Sequence, residues 1–185
     1  MKIEHLYYHG NPEEPKKKIG VFGSSDANTL STHALKQAEQ LGQEIIKEGG
    51  VLVTGATEGY PLWTAMGAKK EKGLTVGISP AANDFEHKEV YRLPNRYLDL
   101  VIYSGFGYPG KDLLFTRTCD AIIIGSGRAD TIHQFVMALE SKKVIGILEG
   151  EWGLSGAMKE IVSEEDNVVF DSNPKNLVKK VIDLL

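Results

Sequence analysis

One short segment, Asp120 to Phe135, constrains the fold of this chain more than any other. The apolar run at 121–124 predicts a buried parallel strand, which leads into a glycine-rich turn and then into the first turn of a helix. The residues of the turn and of the helix start are Gly125, Ser126, Gly127, Arg128, Asp130 and Thr131. Backbone N–H groups and the helix dipole converge at such a turn, so the segment predicts a binding site for a phosphate-bearing ligand.

Composition restricts the class of protein. A chain of 185 residues can bury one good core, so a single domain is expected. The net charge of −4 gives no basic excess for a nucleic-acid backbone, and we expect no nucleic-acid partner. The apolar stretches are strand-length and the first residues carry no apolar signal, which predicts no membrane span and no secretory leader. The single cysteine, Cys119, cannot form an internal disulfide, and this fits a cytoplasmic setting.

The rest of the chain alternates short apolar runs with longer helical segments. Residues 1–17 show no clear period and are predicted to form an N-terminal arm, whereas residues 18–185 are predicted to form one domain. The predicted strands are 19–24, 51–55, 74–79, 98–103, 121–124, 144–148 and 168–170, and the predicted helices are 28–48, 62–72, 111–118, 131–141, 155–162 and a terminal helix after Pro174. Residues 80–95 are predicted to form a long loop. This alternation predicts a three-layer α/β fold of Rossmann type, with a mostly parallel sheet of about seven strands.

Glycines follow the predicted strands at several places. Gly23, Gly55, Gly105 and Gly125 each lie just after a strand, and Gly107 follows Gly105. The ends of parallel strands share one edge of the sheet, and ligands bind there at the point where the strand order reverses. The pattern therefore predicts a ligand site at the carboxyl edge.

Four motifs resemble those of a known family. They are IGVFGSS at the first strand, VTGATEGYP after the second, GISPAAN after the third, and the turn GSGRADTIHQF. On these motifs, from Lys18 to about Ile161, the chain resembles the Lonely-guy family of Rossmann-like proteins, long mislabelled lysine decarboxylases, and the related molybdenum-cofactor carrier proteins. The turn is one residue longer than in the enzymes, a length that resembles the branch near the carriers.

The resemblance implies an activity and a set of site residues. Active family members hydrolyse the N-glycosidic bond of cytokinin nucleoside monophosphates or of AMP, and they use an arginine and a glutamate at the reacting centre. The equivalent positions here are Lys111 and Gln134, and a second arginine of the pattern is retained as Arg117. The implied ligand-binding positions are Gly23, Ser24, Gly55, Thr57, Gly105, Gly107, Arg117, Gly125, Ser126, Gly127, Arg128, Asp130 and Thr131.

Three departures from the family pattern fall on this one site. Lys111 keeps the positive charge but lacks the planar fork of an arginine. Gln134 keeps the size of a glutamate but cannot exchange a proton. Asp130 stands where the family has a glycine, and its carboxylate is expected to cap the helix and to repel a phosphate by about 4 kcal/mol at ~4 Å before screening. Together the departures predict that the family's hydrolase activity is absent.

Other chemistry-bearing residues leave alternatives open. Asp130, Asp112 and Glu58 could supply a carboxylate if the fold brings them to the crevice. The five histidines are dispersed without metal-site spacing, so no metal is expected, and His133 is the one predicted near the crevice. Trp152 is placed beyond the sixth strand, where an aromatic ring could stack on a base.

Three functions are compatible with these residues. The first is a binding or carrier protein for a nucleotide-like or other phosphate-containing small molecule, with degenerate catalytic positions. The second is an active nucleoside 5′-monophosphate phosphoribohydrolase, and the third is a scaffold that binds a protein partner. No cofactor is expected to be required, although the bound ligand could be a nucleotide or a pterin-type cofactor. The resemblance also implies a homodimer or higher oligomer, with the helices 62–72 and 111–118 as interface elements.

Overall fold

A computed structural model describes residues 15–150, 154–162 and 165–185, so most of the expected arm and the loop with Trp152 lie outside the described residues. The strands are β1 (Lys18–Phe22), β2 (Val51–Thr54), β3 (Thr75–Ser79), β4 (Leu100–Tyr103), β5 (Ala121–Ile124), β6 (Val144–Leu148) and β7 (Val168–Asp171). The helices are α1 (Thr32–Lys47), α2 (Tyr60–Lys70), α3 (Gly107–Thr118), α4 (Ala129–Glu140), α5 (Leu154–Ile161) and α6 (Pro174–Asp183).

The seven strands form one parallel sheet in the order β4-β3-β2-β1-β5-β6-β7. Every strand pair is parallel, and at the centre Val21 of β1 is in register with Thr54 of β2 and Ile123 of β5. The chain adds strands outward from β1 to β4 and then crosses back to place β5 on the other side of β1. The strand order therefore reverses between β1 and β5, which is where such folds form a binding crevice.

Helices cover both faces of the sheet, and each face has its own apolar core. On one face, side chains of β1, β2 and β5 pack with those of α1, α2 and α6 around Leu41, Ile45 and Val178. On the other face, Phe115 of α3, Phe135 of α4 and Met158 of α5 complete the second core. The central strands are buried on both sides, because each is covered by helices above and below. This confirms the predicted three-layer Rossmann-like fold.

The structure differs from the predicted elements in a few places. The first predicted helix is divided into a short 3₁₀ turn at 27–29 and α1, because Ser31 caps α1 by accepting a hydrogen bond from the Ala34 N–H. Helix α3 begins at Gly107 and not at 111, since the proline at position 109 is compatible with a first turn. The predicted loop at 80–95 contains a short π-helical segment at 86–90.

Helices α1 and α2 pack with their backbones in direct proximity. A Cβ added at Gly42 would lie 1.9 Å from the carbonyl oxygen of Thr64, and one added at Gly67 would lie 1.9 Å from that of Glu39. No side chain fits at either position. The start of α2, which supplies residues to the crevice, is thus held by a close contact that two glycines make possible.

We predict that Gly42→Ala destabilises the fold by about 1–3 kcal/mol, because the methyl group must push α1 and α2 apart. Gly156→Ala in α5 is the matched control, since an added Cβ there meets nothing within 4 Å. Alanine favours a helix over glycine by up to about 1 kcal/mol, so the control is expected to be neutral or stabilising. Urea denaturation of both variants tests this prediction, and equal stabilities of the two would contradict it.

Candidate functional site

The loops after β1 and β5 meet at the point where the strand order reverses. The Ser24 N–H donates to the Ser126 carbonyl over 2.9 Å, and the Tyr60 N–H donates to the Ser24 carbonyl over 2.8 Å. These two hydrogen bonds join the glycine-rich turn, the first loop and the start of α2. A cavity lies on each side of this junction. Together the two cavities are lined by most of the site residues that the sequence predicts.

Tyr60 fills the space beneath the junction. Its side chain is fully buried, and a Cβ added at Gly23 or Gly125 would lie 2.6 Å or 2.1 Å from atoms of its ring. These two glycines are therefore required by the packing of Tyr60, a role that the sequence does not reveal. Burial raises the pKa of the Tyr60 phenol, and its hydroxyl has no hydrogen-bond partner among the described residues.

The first cavity, which we call the Lys111 cavity, has a volume of about 280 Å³. It is lined by Phe22, Gly23, Ser25, Gly55, Thr57, Pro61, Tyr108, Lys111, Asp112, Asp130 and Gln134. The lining comes from the ends of β1 and β2, from the first two turns of α3 and from the start of α4. Both positions equivalent to the family's catalytic pair, Lys111 and Gln134, therefore face one cavity.

Three buried polar side chains form the floor of the Lys111 cavity. Lys111, Asp112 and Gln134 are only 3%, 8% and 8% exposed. The Lys111 Nζ lies 2.9 Å from the Asp112 Oδ1, and the Gln134 Nε2 donates to the Asp112 Oδ2 over 3.1 Å. Gly55 leaves room for the ammonium group, because a Cβ there would lie 2.9 Å from the Lys111 Nζ. One carboxylate thus holds both the lysine and the glutamine in place.

This arrangement determines what the two side chains offer to a ligand. The positive charge of Lys111 is compensated by its own neighbour, Asp112. The Asp112 carboxylate can only accept hydrogen bonds, so it turns the NH₂ group of the Gln134 amide toward itself. The Gln134 Oε1 is then left as an acceptor without a partner among the described residues. A buried acceptor without a donor is costly, and a ligand that donates a hydrogen bond would relieve that cost.

Tyr108 forms one wall of the Lys111 cavity. The Lys111 Nζ lies 5.5 Å from the centre of its ring, a cation–π distance, and the ring of Tyr91 meets it edge-on at 5.6 Å. Burial raises the pKa of the Tyr108 phenol, with the neighbouring Tyr91 and Asp112 adding to the shift. Tyr108 as a residue is 46% exposed, so that it offers an aromatic surface on which a planar ligand can stack.

Asp130 lies at the rim of the Lys111 cavity, in the first turn of α4. Its Oδ1 accepts from the Thr131 N–H over 2.9 Å. The same N–H also donates to the Arg128 carbonyl over 3.0 Å, so the carboxylate shares a donor that the turn already uses. The N-cap residue of α4 is Arg128 and not Asp130, so the expected capping role of Asp130 is not what the structure shows. Asp112 and Asp130 are thus both brought to the cavity, whereas Glu58 lies on the surface beside Arg96, 3.6 Å from it.

The second cavity, which we call the Arg128 cavity, lies on the α1 side of the junction and also has a volume of about 280 Å³. It is lined by Ser24, Thr29, Leu30, Ser31, His33, Ala34, Gln37, Ser126, Gly127 and Arg128. The lining contains hydroxyl groups, one guanidinium and one imidazole, but no carboxylate. Its electrostatic character therefore differs from that of the Lys111 cavity.

The predicted site residues divide into two groups. The cavities bring together Gly23, Ser24, Gly55, Thr57, Lys111, Ser126, Gly127, Arg128, Asp130 and Gln134, while Gly125 lies against Tyr60 and the hydroxyl of Thr131 lies against Gly127. Gly105 and Gly107 line neither cavity; both have a positive φ and turn the chain from β4 into α3. Arg117 is exposed and lies in the last turn of α3, whereas Lys111 lies near the start of the same helix. The structure therefore does not bring Arg117 to the crevice.

The structure also places residues that sequence reasoning did not assign. The packing of Tyr60 could not be read from the sequence, because it contacts Gly23 and Gly125, which are distant in the chain. Tyr108 and Pro61 line the Lys111 cavity but were not assigned to it from the sequence. Ala56 has φ +52°, a left-handed conformation unusual for a residue other than glycine, directly after Gly55 at the cavity. His133 is exposed and lines neither cavity, whereas His87 is buried and its Nδ1 lies 2.8 Å from the Ser79 Oγ.

Other kinds of site find little support in the described part of the chain. It contains no group of three or more His, Cys, Asp or Glu side chains that could hold a metal ion. None of its helices is long and apolar enough to cross a membrane. Cys119 is buried against Gly20, and burial raises the pKa of its thiol to about 12, so that it is a core residue and not a nucleophile at neutral pH.

The topology defines a Rossmann-like α/β protein with a cavity at the carboxyl edge of its sheet. A sequence model of the SLOG cluster4 family matches residues 16–178, and the chain belongs to this family. The match confirms the resemblance to Lonely-guy proteins. An uncharacterised protein of Archaeoglobus fulgidus is 28% identical over 132 residues, which cover 71% of this chain and 80% of the relative.

Solved structures share the whole fold. A molybdenum cofactor binding protein from the phototrophic bacterium Rippkaea orientalis is 27% identical, with a TM-score of 0.80 over 93% of this chain and 99% of that one. The molybdenum cofactor carrier protein of Chlamydomonas reinhardtii is 22% identical, with a TM-score of 0.76 over 92% and 98% of the two chains. DNA processing protein A of Streptococcus pneumoniae is 16% identical, with a TM-score of 0.68 over 89% of this chain and 62% of that one, a likeness of fold alone.

We predict that Asp112→Ala destabilises the protein by about 3–5 kcal/mol, because it leaves the ammonium of Lys111 buried without a counter-charge. The control is the double variant Lys111→Met with Asp112→Ala, in which no charge is left unpaired. We expect the double variant to be more stable than the single one. Chemical denaturation of both measures the difference, and a single variant that loses less than about 1 kcal/mol would contradict the ion-pair account.

Proposed function

We propose that this protein binds a small molecule that carries a planar heterocycle and a phosphate group, and that it does not cleave it. A nucleotide-like molecule and a pterin-type cofactor both belong to this class. The observation that carries the proposal is the buried group formed by Lys111, Asp112 and Gln134, in which the Gln134 Oε1 and the Asp112 Oδ1 have no hydrogen-bond donor among the described residues and the carboxylate is paired with the lysine.

The geometry argues against hydrolysis of an N-glycosidic bond. Such a reaction is helped by a carboxylate that stabilises a cationic sugar and by a group that moves a proton. Gln134 can do neither. Asp112 is engaged by Lys111 and Gln134, and Asp130 is engaged by the Thr131 N–H. These contacts support a binding role over the phosphoribohydrolase alternative.

The same contacts support binding. The Gln134 Oε1 has no donor among the described residues, and a ring N–H or amino group of a ligand would supply one. The half-exposed ring of Tyr108 offers a surface for stacking on a flat heterocycle. The 27%-identical neighbour is named as a molybdenum cofactor binding protein, which supports a pterin-type molecule as a candidate ligand. The ligand is then a cargo, and no resident cofactor is required.

An exposed apolar surface supports assembly with a second copy of the chain. Leu113 and Leu114 of α3 and Ile132 and Val136 of α4 are all exposed, although they are large hydrophobic residues. Helices α3 and α4 contact each other and also supply the side chains of the Lys111 cavity. We propose that this surface is covered in a homodimer. Helix α2, the other interface element implied by the resemblance, packs one face against α1 within the chain.

A thermal-shift panel tests the ligand class. It compares nucleoside monophosphates, unphosphorylated nucleosides, ribose 5-phosphate and pterin-type cofactors. A ligand at one hundred times its dissociation constant is expected to stabilise the fold by about 2.7 kcal/mol. We expect the largest shifts from molecules that combine a heterocycle with a phosphate, and no release of free base on prolonged incubation.

Two variants localise this binding. Tyr108→Leu removes the stacking surface and is expected to weaken binding about threefold to tenfold. Tyr97→Leu changes an exposed tyrosine that lines neither cavity and is expected to leave the affinity unchanged. A panel without any shift would favour the scaffold function, and steady release of base would favour the hydrolase.

For the homodimer, we predict that Leu113→Lys shifts the protein from dimer to monomer in analytical ultracentrifugation, because it would bury a charge within the proposed apolar interface. Leu74→Lys is the matched control, since Leu74 is equally exposed but lies just before β3, away from this surface. A wild-type protein that is monomeric at all concentrations would contradict the proposal.

A further inference from the structure

The polar groups at the floor of the Lys111 cavity are connected in a row. The Asp112 carboxylate lies between the other two groups: its Oδ1 is 2.9 Å from the Lys111 Nζ, and its Oδ2 accepts from the Gln134 Nε2 over 3.1 Å. All three residues are buried, and all three line the cavity. A ligand that reaches them must therefore come through the cavity and meets the three groups in this order.

Each group of the row has hydrogen-bonding capacity that the described part of the chain does not use. An ammonium carries three N–H donors, and the polar partner of Lys111 is the Asp112 carboxylate. The Asp112 Oδ1, although close to the ammonium, accepts no hydrogen bond from the described residues, and neither does the Gln134 Oε1. From Lys111 to Gln134, the row thus presents one donor followed by two acceptors.

This order of donor and acceptors is complementary to one kind of ring edge. The 2-amino-4-oxopyrimidine ring, which guanine and pterins share, presents a carbonyl oxygen, a ring N–H and an amino group side by side. The ammonium matches the carbonyl oxygen, and the two unpartnered oxygens match the ring N–H and the amino group. Adenine presents an amino group beside a ring nitrogen that only accepts, so that it would leave a buried oxygen of the row facing a lone pair.

We propose that Lys111, Asp112 and Gln134 select a ligand ring with the 2-amino-4-oxopyrimidine edge and discriminate against adenine. The ring of Tyr108 cannot supply this selectivity, because stacking on an aromatic side chain is tolerant of the base. The inference rests on the proposed function, since it names the heterocycle that the same cavity binds. Gln134, which cannot act as the acid or base of a hydrolase, has on this account the task of accepting from the ligand's amino group.

The test is isothermal titration calorimetry of the full chain with GMP, IMP and AMP, which share the ribose and the phosphate and differ in the ring edge. We expect GMP to bind at least about tenfold more tightly than AMP. IMP lacks the amino group and is expected to bind about fivefold to tenfold more weakly than GMP. Guanosine and neopterin, both without phosphate, distinguish the two sources of the edge: the tighter of the two identifies the ligand as a guanine nucleotide or a pterin.

Gln134→Met replaces the proposed acceptor by an apolar side chain of similar length. We expect it to weaken the binding of GMP, or of neopterin where that ligand binds more tightly, about fivefold to tenfold, and to bring the affinity ratio of GMP to IMP close to one. A general loosening of the cavity would weaken both nucleotides and leave their ratio unchanged. Gln40→Met is the matched control, since Gln40 is exposed in α1 and lines neither cavity.

The outcomes separate this inference from the proposed function. AMP that binds as tightly as GMP, or a ratio of GMP to IMP that survives Gln134→Met, would overturn the recognition of the edge and leave a protein that binds a heterocycle intact. Selective binding of GMP followed by release of guanine would refute the proposed absence of cleavage and leave the edge recognition in place. A protein that binds neither a nucleotide nor neopterin would contradict both.

Discussion

The crevice exists because one aromatic ring fills the space beneath two glycines. Tyr60, at the start of α2, packs against Gly23 after β1 and Gly125 after β5, and any side chain at either glycine would overlap its ring. The Tyr60 N–H also bonds the Ser24 carbonyl, which ties the same loop to α2. This packing fixes the distance between the two loops, and both cavities lie on either side of the junction that results.

The two cavities beside this junction differ in the charged groups that line them. Asp112 neutralises Lys111 and orients Gln134, so that the Lys111 cavity presents a fixed set of hydrogen-bonding groups and an aromatic wall. The Arg128 cavity is lined by a guanidinium and an imidazole, without a carboxylate. The pairing of Asp112 with Lys111 and Gln134 is the basis of our proposal that the site binds its ligand without cleaving it.

The sequence predicted the fold well because strands that are buried on both faces leave continuous apolar runs, as at 121–124, and glycines mark their ends. It also predicted that Lys111, Gln134 and Asp130 share one site. It could not predict that Tyr60 explains two of the glycines, or that Asp112 pairs with Lys111, since both contacts depend on how α2 and α3 dock on the sheet. Arg117 was assigned from the resemblance, and its position in the last turn of α3 takes it away from the crevice.

The central claim is that the site binds a phosphate-bearing heterocycle without cleaving it. The most direct measurement is equilibrium dialysis of the protein at stoichiometric concentration against AMP and against a pterin-type cofactor, with chromatography of the ligand recovered from the protein side. The account predicts that at least one ligand is retained near one equivalent per chain and recovered intact after many hours. Recovery of free base and ribose 5-phosphate, or retention of neither ligand, would contradict it.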